Sequence, residues 1–531
     1  MKSYIRAGSS LIMTGIRSKV FPFLLLAFTS VSILATRFGA VFLHPNGILY
    51  TKTGDGLKNY FLFAYYLKYD QGLRFTGFNY PYGENLLFTD SQPLVVLILN
   101  FIDDHLIPLS SHAIALVNWG ILFGSVIAVL LIYAILRFYK LPLLYAGVIA
   151  LAVTFLSPQW SRMHGHLSLS YIFVVPLIWY VTLLFKQKST IFRALILVLV
   201  GVIVGGLHMY FLAMFSLFLL AYWFVRLLQN RNNLSHYIRK HWLLPIVAIL
   251  PLLFYQMWMG FSDVVADRPI SPYGFYTYHA NIWSIFLPHY SVLNQLVGQW
   301  FDINIEWEGR AYVGFVPLVV CLVSLWQVFR EKRLWRLPNH KESDVAILPF
   351  IYAGILLLLF SMCIPFQWGL RFIPELITPL KQLRALGRFS WVFFYVINVY
   401  AAIVIYTFYK WLKGKELKHV ASGMLTLAVL AWAMDGASYF TNTTKDLINH
   451  NDKLEKTDSA YLGRFEQASV STEDFQAVMC LPLVSVRTDK MTFEHDMIGY
   501  HEGLKCAYHT GIPVIQSTAS RPSLNQSFSN I

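Results

Sequence analysis

Long apolar runs recur along most of this chain, and each can cross a bilayer as a helix, which takes about 20 residues. They are read at 20–43, 111–137, 142–158, 166–185, 190–207, 209–228, 241–260, 311–329, 346–363, 390–410 and 419–437. The stretch 190–228 is too long for one span, and the break at Gly205-Gly206-Leu207-His208 divides it in two. Only 13% of residues are charged, where a soluble domain carries about a quarter. The expected fold is an all-α polytopic membrane bundle of about 11 transmembrane helices.

The net charge of +14 raises the question of nucleic acid as a partner. The basic residues fall instead in short loops between apolar runs, a pattern that sets membrane topology, and nucleic acid is rejected. With the N-terminus inside, segments 1–19, 137–141, 186–193, 229–240, 330–345 and 411–418 are cytoplasmic, and each is basic. The C-terminus then lies outside. The first span has a basic start but is too long for a cleaved signal, so it is expected to be a retained anchor.

On the opposite face lie loops 44–110, 157–166, 261–310 and 364–389 and a tail from 438. The first of these is long enough to carry function or structure of its own. In it, Asp55 stands between two glycines, just before "LKNYFLFAYYLKY" (57–69). That segment reads as an amphipathic helix lying at the membrane interface, with Tyr and Phe on one side and Lys on the other. "QPLVVLILNFI" (92–102) reads as a second surface helix, and "NYPYGENLLFTD" (79–90) as a turn.

A first span, an external loop with an early aspartate and two juxtamembrane helices, and then a long bundle resemble the GT-C superfamily. More narrowly, "GDGLKNYF", "YPYGENLLFTDSQPL", "RMHGHLSLSYIFVVPL", "WEGRAYVGFVPL" and "LRALGRFSW" resemble a group of bacterial membrane proteins allied to it. The resemblance covers the membrane part, residues 1–437, and implies a GT-C-like domain that transfers sugar from a polyprenyl-phosphate donor. It also implies an inverting single displacement and a place in the bacterial inner (plasma) membrane, in cell-envelope glycan biosynthesis. This chain departs from the pattern in one respect. Many members carry paired acids in the first loop and another acid in the second external loop. Here the first loop offers a lone Asp55, and loop 157–166 offers Arg162, His164 and His166 with no acid.

Such chemistry needs a carboxylate within reach of the acceptor hydroxyl and cationic donors for the leaving phosphate. On this reading Asp55 is the general base, and Arg388, with Arg384 and Lys381, meets the donor phosphate. Arg384 and Arg388, four apart, share one face if helical. Other roles stay open beside these: Asp55 as a helix cap, and Arg384 and Arg388 as an interfacial anchor. Arg162, His164 and His166 are substrate-binding candidates, and a metal on both histidines would require a loop. Glu84 and Asp90 read as turn and cap residues with substrate binding as the alternative. Glu308 is expected either to pair locally with Arg310 or to hold an acceptor, and Tyr276 lies in an aromatic run suited to stacking on sugar. No metal ligand set is assigned; the sequence requires no cofactor, and a divalent metal stays open. The partners expected are a polyprenyl-phosphate-linked sugar, a lipid or glycan acceptor and the bilayer.

The tail 438–531 reads as a small extracytoplasmic α/β domain, incomplete or unstructured at its end, with strands at 474–486 and 511–517 and a helix over 496–510. Cys480 and Cys506 both lie outside, where a disulfide is permitted but not dictated by their spacing. Two other classes compete with the enzyme: a transporter or flippase, and a catalytically inactive scaffold in glycan assembly. The spans hold almost no ionisable residues, which disfavours a translocation path.

Overall fold

The computed structural model describes residues 2–289, 292–331, 347–448, 458–481, 497–517 and 519–530. The helices of ten residues or more are numbered in chain order. Those of the membrane part are α1 (Lys2–Leu43), α2 (Gly54–Tyr69), α3 (Pro93–His105), α4 (Ala113–Phe138), α5 (Leu143–Phe155), α6 (Val174–Gln187), α7 (Ile191–Leu207), α8 (Met209–Gln229), α9 (Leu243–Ser262), α10 (Phe315–Glu331), α11 (Leu348–Ser361), α12 (Ser390–Gly414) and α13 (Lys418–Thr444). The tail adds α14 (Asp458–Gln467) and α15 (Met497–Thr510). Among the described residues, eight helical stretches are long and apolar enough to cross a membrane, and α7, α10 and α11 are shorter apolar helices. Each expected span coincides with one of these. The basic loop 332–346 lies outside the described residues.

The chain is a polytopic all-α bundle. Helices α1, α4, α5, α13, α12, α11 and α8 pack in succession, with α7 and α9 closing against α8. α12 is the central element, buried from Ser390 to Ile403 without a break. Close approach of α7 to its neighbours depends on small residues, as is common between membrane helices. A Cβ on Gly201 would lie 2.5 Å from Pro251, and one on Gly205 2.5 Å from the Tyr255 ring. Asp435, in α13, accepts the Phe315 N–H at 2.7 Å and so satisfies a donor at the start of α10.

Two expectations need correction. α2 does not lie on the surface: every residue from Gly56 to Leu67 is buried, Lys58 included. One part of its surface packs on α3 and α4, and α15 of the tail covers another. An aromatic helix with two lysines looks interfacial only while its cover is unknown. α3 does keep an exposed apolar side, at Ile98 and Phe101.

The tail, secondly, contributes few strand residues. Val478 and Val514 form an isolated parallel bridge, and Val514 forms another with Phe78 of the first loop. Residues 482–486 of the first expected strand lie outside the described residues. The extended tail is shared with loop one, whose hairpin, β1 (Arg74–Phe75) and β2 (Glu84–Asn85), is antiparallel. The expected tail helix is α15, and the last described stretch includes a short helix, Leu524–Ser529. None of the four cysteines is in a disulfide.

Candidate functional site

Residues from six separate segments meet at one end of the bundle. At the centre is Glu308, in a 3-10 turn (Trp307–Gly309) just before α10. Arg388 forks it, with Nε donating to Oε2 at 2.7 Å and Nη2 to Oε1 at 2.8 Å. Arg162 donates from Nη1 to Oε2 at 2.8 Å and from Nη2 to the Trp307 carbonyl at 2.6 Å. His166 Nε2 lies 3.3 Å from Oε1. The Arg162 guanidinium also sits over the rings of Trp307 and Trp391, and that of Arg388 over Tyr210. Burial pushes the Glu308 carboxyl up, but Arg388 and Arg162 beside it overcome this and hold it well below the usual carboxylate range.

The backbone locks this arrangement. A Cβ on Gly387 would lie 2.6 Å from the Cα of Gly309, and one on Gly309 would lie 2.6 Å from the Cα of Ala280. Only glycine lets the turns carrying Glu308 and Arg388 approach so closely. Glu308 is therefore a fixed carboxylate that gathers two arginines.

Asp55 belongs to a second group. It lies in the first turn of α2, which begins at Gly54, with Thr53 as an N-cap that makes no side-chain bond. Its carboxylate is 43% exposed and pairs with Lys58 Nζ at 2.9 Å, and Lys58 also reaches Asp90 at 3.7 Å. Burial works against the charge on Lys58, yet Asp55 and Asp90 more than offset it and raise its pKa. Asp90, in the left-handed region at φ 57°, also faces His208 Nε2 at 3.7 Å. Burial pushes His208 down to about 3 despite Asp90, so a neutral imidazole faces that carboxylate. Its Nδ1 accepts the Tyr210 N–H at 3.1 Å. The first loop thus brings two acids to one lysine, and Asp55 is not the lone carboxylate its sequence context suggests.

The remaining candidates divide. Arg384 donates from Nε to the Tyr273 carbonyl, and the helical face expected to join it to Arg388 is broken at Ala385. Lys381 pairs with Glu375. His164 points away from His166 and contacts the Thr443 carbonyl at 2.7 Å. Glu84 is tied to Arg268, which also holds Asp263 and sits over Phe88. Tyr276 is exposed, with Arg371 over its ring. The local pair of Glu308 with Arg310 is replaced by the two distant arginines, and Arg310 stacks on Trp307. No group of three or more His, Cys, Asp or Glu able to hold a metal occurs among the described residues.

Lys58 and His208 were missed as site residues. A lysine three positions after an acid, inside an otherwise apolar and aromatic run, was the available signal. His208 stood out only as a helix break.

The family described as a domain of unknown function (DUF6311) matches residues 27–436 of this chain. No curated protein matches it. Among solved structures it is similar to the Archaeoglobus fulgidus oligosaccharyltransferase in the apo form, at 14% identity and a TM-score of 0.47. The match covers 94% of this chain and 64% of that one, so this chain spans less than two thirds of that protein's length.

Proposed function

This chain belongs to the DUF6311 family, and we propose that it is a membrane glycosyltransferase acting at the extracytoplasmic face of a bacterial plasma membrane. Its donor is a polyprenyl-phosphate sugar and its acceptor a lipid or glycan hydroxyl. The observation that carries the reading is a half-exposed carboxylate, Asp55, beside a buried lysine, at the bundle end where two buried guanidiniums share one carboxylate. In the reaction the acceptor oxygen attacks C1 of the sugar, its proton passes to Asp55, and the C1–O bond to phosphate breaks with inversion. Lys58 pairs with Asp55 and holds its carboxylate in place. The excess positive charge of Arg162 and Arg388 over Glu308 favours the leaving phosphate electrostatically. The proposal keeps Arg388 from the basic cluster and takes Arg162 as the second cation, because Arg384 and Lys381 are engaged elsewhere.

The test is transfer from radiolabelled polyprenyl-phosphate sugars by the full chain in membranes. Asp55→Asn is expected to lower turnover by about 10²–10⁴-fold, the usual worth of a positioned base. Full transfer by that variant would sink the base assignment. The engagement of Arg162 and Arg388 by Glu308 favours one other reading, a scaffold that keeps the architecture without turnover. No transfer by the wild type from any donor would support it.

A further inference from the structure

The tail lies outside the part of the chain that the family match covers, yet it runs along α2 from end to end. Tyr65 Oη donates to the Gly511 carbonyl and Tyr69 Oη to the Tyr508 carbonyl, both at 2.9 Å. Lys68 Nζ lies 5.0 Å from the centre of the Tyr508 ring. At the other end, beside the candidate base, the Gly54 N–H donates to Nε2 of His501 at 2.9 Å.

That last contact has a particular consequence. The first N–H groups of a helix have no partner within the helix, and a side chain on the N-cap residue normally takes one of them. Thr53 does not. The acceptor comes instead from a buried histidine more than four hundred residues away, on α15. Accepting at Nε2 places the ring proton on Nδ1, so His501 is neutral in this contact. The residue whose amide it holds is the immediate neighbour of Asp55.

We propose that His501 is a positioning residue for Asp55, and that the tail is a working part of the active site. This rests on the reading of Asp55 as the base. His501 touches no reacting atom; it fixes the first turn of α2 and with it the direction of the Asp55 carboxylate.

The experiment uses the full chain in lipid nanodiscs, with His501→Phe, which keeps a ring but offers no acceptor, and His501→Gln, which restores one. In His501→Phe, hydrogen exchange at the Gly54 amide is expected to quicken, and kcat to fall about tenfold or more with the donor KM unchanged. His501→Gln recovers both. In an Asp55→Asn background His501→Phe costs nothing further in transfer, because the group it positions is gone. Wild-type exchange at Gly54 in His501→Phe, or no recovery in His501→Gln, would overturn the proposal. So would a loss of kcat in the Asp55→Asn background equal to that in the wild type. If the wild type transfers no sugar at all, the reading of function fails, and the exchange data still decide whether His501 holds the turn.

Discussion

A carboxylate shared by two buried guanidiniums is costly to remove, because the two positive charges are then left facing each other without a counterion. Glu308→Gln is expected to destabilise the protein by ~3–5 kcal/mol, the usual cost of breaking a buried ion pair from one side. The measurement is Tm in detergent, and an unchanged Tm would mean that the cluster is not desolvated as described. Glu308 also sets a pH dependence. A carboxyl whose pKa falls on folding stabilises the native state above its unfolded pKa, about 4.3, and the gain is lost as pH falls through the lowered value. The Tm gap between wild type and Glu308→Gln should therefore stay constant from about pH 8 to pH 5 and close only well below pH 4. At this scale the residue types were legible and the partners were not. Glu308 and Arg310 are neighbours in sequence and invite a local pair, whereas the observed partners come from the turns before α6 and α12.

Helices were legible where apolar character persists and misread where their surroundings decide their place. The division of α7 from α8 at His208 follows from its glycines and histidine, and the geometry requires it. Loops at 166, 208 and 388 can meet at one end of the bundle only if an even number of spans separates them. The glycines before His208 carry a second meaning that composition does not reveal. A Cβ on Gly206 would lie 2.2 Å from the Cβ of Leu94, so α3 packs directly on the end of α7. Gly206→Ala is expected to push α3 outward and lower Tm by several degrees, as overpacking costs roughly 1–3 kcal/mol. A variant as stable as the wild type would show that α3 is free to shift. α2 illustrates the opposite limit. Its aromatic residues and lysines fit a membrane interface, and its burial comes from the hairpin that follows it, from α3 and α4, and from α15 far along the chain.

For the whole molecule, the tail binds the first loop more closely than an appended domain would. Val514 bonds the Gly77 carbonyl, Asp267 of the large loop accepts from Ser523 and Asn525, and Arg521 reaches Gln382. A chain ending at Ile448 is expected to keep its spans but to lose protease resistance between residues 50 and 90. Undiminished protection of that stretch would make the tail an accessory. The places of the apolar helices and the grouping of basic residues between them were determined by the sequence alone, because hydropathy and charge act over about 20 consecutive residues. Helix α15, lying within the tail, was readable for the same local reason. Only the tertiary structure decided that Lys58 is buried between two acids, that Glu308 gathers Arg162 and Arg388, and that His501 caps the helix bearing Asp55. Those contacts join positions from 54 to 501, and packing selects them among many chemically equivalent pairings that no local pattern can rank.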